Sequence, residues 1–359
     1  MKYSIIVPVY NRPEEVEELL ESLTTQTCQD FEVIVVEDGS EVPCSHVCER
    51  YAKRLRLHYY VKANGGPGEA RNYGAERAAG EWLIVLDSDV VLPEGYLAAV
   101  DDELSAVQTL ASEDARRCDA FGGPDRAHED FTPIQKAISY AMTSFFTTGG
   151  IRGGKKKLDR FYPRSFNMGV RCGLWQQLGG FRHMRFGEDI DFSYRMEEAG
   201  ARMRLFPEAW VWHKRRTDFR RFFRQVNNSG KARINLHLLH PGSMKLVHML
   251  PALFTVGCLA LVILFVFGLL LYLFGPDHMN QACGFAICEL TVALPLIYVI
   301  LIFVDSSVRN RSLLVGLLSV PASFIQLIGY GTGFLSAAWQ RLVLRQKGEG
   351  FDDNERLYK

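Results

Sequence analysis

Trp82-Leu83-Ile84-Val85-Leu86-Asp87-Ser88-Asp89 is the stretch from which the rest of the chain is read. Its apolar run describes a buried strand. A buried strand that stops on two carboxylates delivers them to the carboxyl edge of its sheet, where open α/β folds bind their ligands. Hard oxygen ligands at that edge suit a divalent cation that bridges to phosphate oxygens. An Asp-x-Asp alone carries little, since roughly one is expected by chance at this composition. Its place at the end of an apolar strand gives it weight.

Working outward, the first hundred or so residues alternate strand and helix. Tyr3–Val9 is a strand, and Asn11-Arg12-Pro13 starts a helix that runs to about Leu23, with Val16, Leu19, Leu20 and Leu23 at helical spacing. Phe31–Val36 is a second strand, ending on Glu37-Asp38-Gly39-Ser40, and Leu57–Val61 a third. Gly65-Gly66-Pro67-Gly68 leads into a helix expected from Glu69 to Ala79, ahead of the strand Trp82–Leu86. Such alternation predicts a mostly parallel sheet with right-handed crossovers. Farther on, a helix is expected over Asp101–Arg117 and a strand end at Phe121-Gly122-Gly123-Pro124. Gly149–Lys157 reads as a solvated basic loop or as a lid over an anionic donor. Gly187-Glu188-Asp189-Ile190-Asp191 precedes a helix expected from Phe192 to Ala199, with Asp191 as its cap.

The chain has 359 residues, 48% apolar and 23% charged, with no net formal charge, but the apolar residues pile up after residue 248. Three stretches, Met249–Phe274, Cys283–Val304 and Leu313–Trp339, have the length of membrane spans. Arg309 and Arg311 lie between the second and third. The positive-inside rule then puts Asp305–Ser312 in the cytoplasm and Gly275–Ala282 outside. Arg341, Arg345 and Lys347 oppose a full third crossing, which a re-entrant segment would reconcile; apolar length favours three crossings. Ahead of the first span, Lys214–Arg224 interleaves basic residues with Phe219, Phe222 and Phe223. Beside a membrane this pattern fits aromatics dipping into the interface and arginines meeting anionic head groups, and nucleic acid is not expected as a partner. Glu289 inside the second span marks an ion path, or a contact with a lipid acceptor or with another chain. The first residues lack signal-peptide features, so the soluble part is expected in the cytoplasm. Eight cysteines without framework spacing agree with a reducing compartment, and Cys44 and Cys48 lack the second ligand pair of a zinc site.

Ser4–Asn11, Val36-Glu37-Asp38-Gly39-Ser40, Ala70-Arg71-Asn72, Asp87-Ser88-Asp89 and Gly187-Glu188-Asp189 occur in that order. The set resembles the inverting family 2 glycosyltransferases of the GT-A nucleotide-diphospho-sugar fold, relatives of which carry a membrane tail. The resemblance implies a donor site at Pro8, Tyr10, Asp38, Arg71 and Asp87, with Asp38 receiving the uracil N–H. It implies Asp89 as ligand of a Mg2+ or Mn2+ ion, and Asp189 as catalytic base with Glu188 beside it. Local alternatives stand next to these roles: Asp38 capping a turn, Arg71 pairing with Glu69 or Glu76, and Trp210 and Trp212 packing in a core or stacking on a sugar. Processive synthases of the family carry a Gln-x-x-Arg-Trp motif before their membrane helices. The corresponding Phe223–Arg233 stretch has no tryptophan, so transfer of a single sugar is expected.

The expected organisation is a GT-A domain over 1–213, a basic amphipathic segment over 214–248, a transmembrane region over 249–340 and a polar tail over 341–359. The expected activity moves one sugar from a nucleoside-diphosphate sugar, preferably a UDP-sugar, to a lipid-linked or nascent glycan at the cytoplasmic face of a bacterial inner membrane, with membrane lipids as surroundings. Two other functions compete: transfer to a polyprenyl phosphate, and a catalytically silent nucleotide-sugar-binding scaffold.

Overall fold

The computed structural model describes residues 1–126, 131–148, 161–184, 186–214 and 217–346. They divide into two compact units. One is built from the residues up to 126 and from 161–214, the other from 131–148 and 217–346.

In the first unit, strands β1 (Tyr3–Val9), β2 (Phe31–Asp38), β3 (Leu57–Lys62), β4 (Trp82–Leu86), β6 (Ala120–Gly122), β8 (Asn167–Arg171) and β9 (Met203–Leu205) form one sheet in the order β3-β2-β1-β4-β8-β6-β9. Pairings β1–β2, β1–β4, β2–β3 and β6–β9 are parallel, whereas β8 runs antiparallel to both β4 and β6. Every residue of β2 and β4 is buried, as apolar runs in a sheet covered on both faces require. Helix α1 (Pro13–Thr24) lays Val16, Leu19, Leu20 and Leu23 on one face, in a core with Tyr3, Ile5, Val7, Val33 and Val35. The other face carries Met168 and Val170 beneath the aromatic group Trp175, Phe181 and Phe192, with ring centroids 4.9 to 5.1 Å apart. A small second sheet joins β5 (Val90–Val91), β10 (Val211–His213) and β7 (Asp125–Arg126). Register sets His213 opposite Val90, beside the acids that end β4.

Helix boundaries depart from the sequence expectations in three places. Helix α2 (Ser45–Tyr51) is followed, after β3, by α3 (Pro67–Ala75), which begins directly after Gly66 and stops four residues before Ala79. Gly66 has φ of 90°, so the turn itself sets the start, and Pro67 fits the first helical position. The helix expected over Asp101–Arg117 is two helices, α4 (Tyr96–Gln108) and α5 (Glu113–Arg116). Tyr96, Leu97, Val100, Leu104 and Val107 form its buried stripe, while Ser112 turns extended and caps α5 through the Ala115 N–H. After α8 (Cys172–Leu178), helix α9 spans Glu188–Glu198. Asp191 is thus inside α9 and does not cap it; it is fully buried and pairs with Arg182 at 3.0 Å and Arg195 at 2.9 Å.

The second unit is helical: α6 (Pro133–Thr143), α7 (Phe145–Thr148), α10 (Phe219–Leu239), α11 (Leu246–Phe274), α12 (His278–Asn310) and α13 (Leu313–Ala338), the last running into a π-helical turn over Trp339–Val343. Leu246–Phe274, His278–Asn310 and Leu313–Val343 are long and apolar enough to cross a membrane. Helix α10 packs tightly on α13. A Cβ at Gly230 would strike the backbone of Tyr330 and Phe334, and one at Gly333 the backbone of Asn227. The Asn227 amide donates to the Gly329 carbonyl and the Thr332 hydroxyl, both at 3.1 Å. Close approach of this kind draws Phe222 out of the lipid-interface role expected for it. Phe222 is fully buried among Ala137, Ile138, Ala141, Val315 and Ala322, and Phe219 packs against the same cluster. Phe223 remains 38% exposed. Helix α6, which the chain order would put with the strands, packs in that cluster too, and its Tyr140 hydroxyl donates to Asp305 at 2.7 Å. Glu289 is exposed on α12.

Candidate functional site

All of the expected site residues lie in the first unit. Asp87 leaves the end of β4 and Asp89 stands two residues on, before β5. The Asp89 Oδ2 accepts from Arg12 Nη1 at 2.6 Å, and its Oδ1 lies 3.3 Å from His213 Nε2. The His213 ring stacks on Phe166 with centroids 5.0 Å apart. One ligand atom each from Asp87, Asp89 and His213 falls within 4.8 Å of the others. Two carboxylates and an imidazole at that spacing fit a hard to borderline divalent cation.

Arg71 ties these strand-end acids to a second pair more than a hundred residues away. Its Nη2 donates to Asp87 Oδ1 at 2.8 Å and its Nη1 to Glu188 Oε1 at 2.9 Å, with the Phe181 ring 5.4 Å away. The guanidinium is 4% exposed, and it pairs with neither Glu69 nor Glu76. Glu188 and Asp189 open helix α9, where partial positive charge favours carboxylates. Asp189 Oδ2 accepts from Arg164 Nε at 2.7 Å and Oδ1 from the Ile190 N–H at 2.9 Å. The environment drives the two acids apart. Burial pushes the Glu188 carboxyl up to about 7 despite Arg71, with the Asp189 charge adding to the rise. Burial also pushes Asp189 up, but the Arg164 guanidinium, its hydrogen bond and Arg71 outweigh it and hold that carboxyl below its ordinary range.

The donor-base residues lie at the same sheet edge, because β2, β1 and β4 are adjacent and parallel. Pro8 is partly buried near the end of β1 and Tyr10 is half exposed just beyond it. Asp38 ends β2. Its Oδ1 accepts from Lys62 Nζ and the Gly65 N–H, each at 2.9 Å, and its Oδ2 from the Gly66 N–H at 2.7 Å. Asp38 therefore fastens the loop ahead of α3 and not a turn at Gly39; a carboxylate has lone pairs left for a further donor. Asn11, with φ of 55°, accepts from the Glu41 and Val42 N–H groups and joins the loops after β1 and β2.

Arg12, Arg164 and His213 escaped the sequence reading. Arg12 looks like a helix start and Arg164 lies in no periodic segment. His213 ends a three-residue strand, and only the pairing of β10 with β5 brings it to Asp89. Trp210 and Trp212 meet edge to face at 4.8 Å, with Arg126 4.1 Å over Trp210, so they pack on each other and on a cation. The lid reading of Gly149–Lys157 falls outside the described residues.

Residues 4–160 match the sequence model of Glycosyl transferase family 2. An uncharacterized glycosyltransferase, EpsJ of Bacillus subtilis, is 42% identical over 101 residues, 28% of this chain and 29% of that protein. The poly(ribitol-phosphate) beta-N-acetylglucosaminyltransferase TarS of Staphylococcus aureus is 41% identical over 93 residues, 25% of this chain and 16% of the relative. An uncharacterized glycosyltransferase of Rickettsia bellii is 42% identical over 88 residues, 24% of this chain and 13% of its own length. The shared stretch is thus under a third of each of these relatives. Among solved structures, the mannosyltransferase PcManGT from Pyrobaculum calidifontis, in complex with GDP-Man and Mn2+, superposes with a TM-score of 0.55 over 95% of this chain and 88% of its own, at 17% identity. Residues 4–160 thus carry the similarity to Glycosyl transferase family 2, the fold is GT-A-like, and three long apolar helices follow.

Proposed function

We propose that the protein is a membrane-anchored, inverting glycosyltransferase that moves one sugar from a UDP-sugar to a lipid-linked or nascent glycan at the cytoplasmic face. The observation that carries this is the Arg71 bridge, which joins the strand-end acids to the helix-start acids at one sheet edge. Asp87, Asp89 and His213 would hold a Mg2+ or Mn2+ ion, which when bound acts as a Lewis acid on the departing nucleoside diphosphate. Pro8, Tyr10 and Asp38 would line the base, with uridine preferred through the resemblance at Asp38. Asp189 would take the proton of the acceptor hydroxyl as that oxygen attacks the anomeric carbon and the sugar–phosphate bond breaks on the opposite side. One displacement inverts the anomeric centre. Arg309 at the end of α12 and Arg311 just after it support a cytoplasmic position for that turn.

One feature favours a second reading, transfer to a polyprenyl phosphate. Arg164 holds Asp189 ionised and below its ordinary range, which weakens it as a base, and a phosphate acceptor has no proton to lose. Asp189→Asn separates the two. The test of the leading proposal uses purified full-length protein in detergent with UDP-sugars and Mn2+. Sugar transfer or slow donor hydrolysis is expected, and EDTA should abolish it. Activity indifferent to chelation would remove the metal from the proposal, and binding of no UDP-sugar in a thermal-shift screen would remove the donor.

A further inference from the structure

We infer that Arg12 is the resident counter-cation of Asp89, that it competes with the divalent ion for that carboxylate, and that it transfers to the donor diphosphate when metal and donor bind together. Given the assignment of Asp89 as the metal ligand, the geometry leads there directly. The Arg12 guanidinium bonds Asp89 Oδ2 at 2.6 Å while Oδ1 faces His213 at 3.3 Å, so both oxygens of the candidate ligand are engaged from the protein side. A guanidinium and a divalent cation on one carboxylate repel each other. Either the arginine leaves or the metal binds weakly.

Arg12 is free to leave. It precedes Pro13 at the start of α1, and its side chain makes no capping bond, so moving it costs the helix nothing. Its side chain is 30% exposed. Arg71 touches the neighbouring Asp87, yet it is 4% exposed and bound to acids on both sides, which keeps it in place. A displaced Arg12 would meet the charge that accompanies the metal, since a nucleoside diphosphate supplies paired oxygen acceptors that the planar guanidinium fork can bond. Metal alone should therefore bind weakly, metal with nucleotide strongly, and Arg12 should set the difference.

The test measures Mn2+ binding to the full-length protein in detergent by electron paramagnetic resonance of the free ion, with and without UDP. Arg12→Gln should bind Mn2+ alone more tightly than the unmodified protein, by up to about fivefold, as expected when one partly exposed ion pair stops competing. It should also gain less from added UDP. Arg12→Lys, which keeps the charge, should return toward the unmodified values, and Arg12→Ala should repeat the glutamine result. Unchanged or weaker Mn2+ affinity in the glutamine and alanine variants, with an unaltered melting temperature, would overturn the inference. Mn2+ binding that survives Asp89→Asn, or none even with UDP in the unmodified protein, would instead unseat Asp89 as the metal ligand.

Discussion

The two acid pairs of the site, Asp87 with Asp89 and Glu188 with Asp189, are built alike and held differently. In each, one acid bonds the shared Arg71 and the other has an arginine of its own: Arg12 for Asp89, Arg164 for Asp189. The shared cation is 4% exposed, whereas Arg12 and Arg164 are 30% and 38% exposed. A buried guanidinium between two acids belongs to the frame, because removing it strands charges away from water. A partly solvated arginine gives up less when an arriving cation takes its place on the acid or an arriving anion draws it away. The inner members thus frame the site, and the outer members, Asp89 and Asp189, are the acids whose own arginines can be exchanged in the proposed metal and base roles.

The largest effect should come from breaking the frame. Arg71→Ala leaves Asp87 and Glu188 without their shared cation and should cost about 3–5 kcal/mol of stability. Arg164→Gln should cost no more than about 1 kcal/mol. Denaturant unfolding of both variants measures the contrast, and equal losses would end the distinction between frame and exchangeable arginines.

Next in size is the difference between the two outer acids. Asp189→Asn should keep nucleotide affinity and lose about 100-fold or more in turnover on a hydroxyl acceptor. Asp89→Asn should instead lose the response to Mn2+. Nucleotide titration and initial rates across a metal series tell them apart. Retained turnover in Asp189→Asn would move the protein to the phosphate-acceptor reading, and equal loss of nucleotide binding would make Asp189 structural.

Much of this edge was legible beforehand because it depends on local pattern. The apolar runs of β1, β2 and β4 end on Asp38 and Asp87, and run length alone identifies them as buried strands. What stayed hidden depends on partners distant in the chain. Arg12, Arg164 and His213 gain meaning only when loops and a three-residue strand bring them to the acids. The same holds for α10, whose basic and aromatic pattern suggests a lipid surface while Gly230, opposed by Tyr330 and Phe334, turns Phe222 inward. Helix ends at Ala75 and Gln108 differ from the expected ones for a related reason: each is set by a turn that carries no periodic signal.

The subtlest test concerns the two helix-start acids, whose surroundings shift them in opposite directions. Glu188 is driven up to about 7 from an ordinary 4.5, while Asp189 beside it is driven down. A carboxyl that keeps its proton longer in the folded chain favours folding most below its unfolded pKa and loses that contribution as pH rises through the folded one. Stability should therefore fall between about pH 4.5 and 7 by at most about 1.4 kcal/mol per pH unit from this group. Asp189 works in the opposite sense: its contribution is present above about 3.8 and is lost as pH falls below it, outside that window. Glu188→Gln removes the titrating group while keeping a hydrogen-bonding partner for Arg71. Its melting temperature should be flatter than that of the unmodified protein across the window. A parallel slope in the two proteins would show that burial does not hold the Glu188 proton in the folded chain against the pull of Arg71.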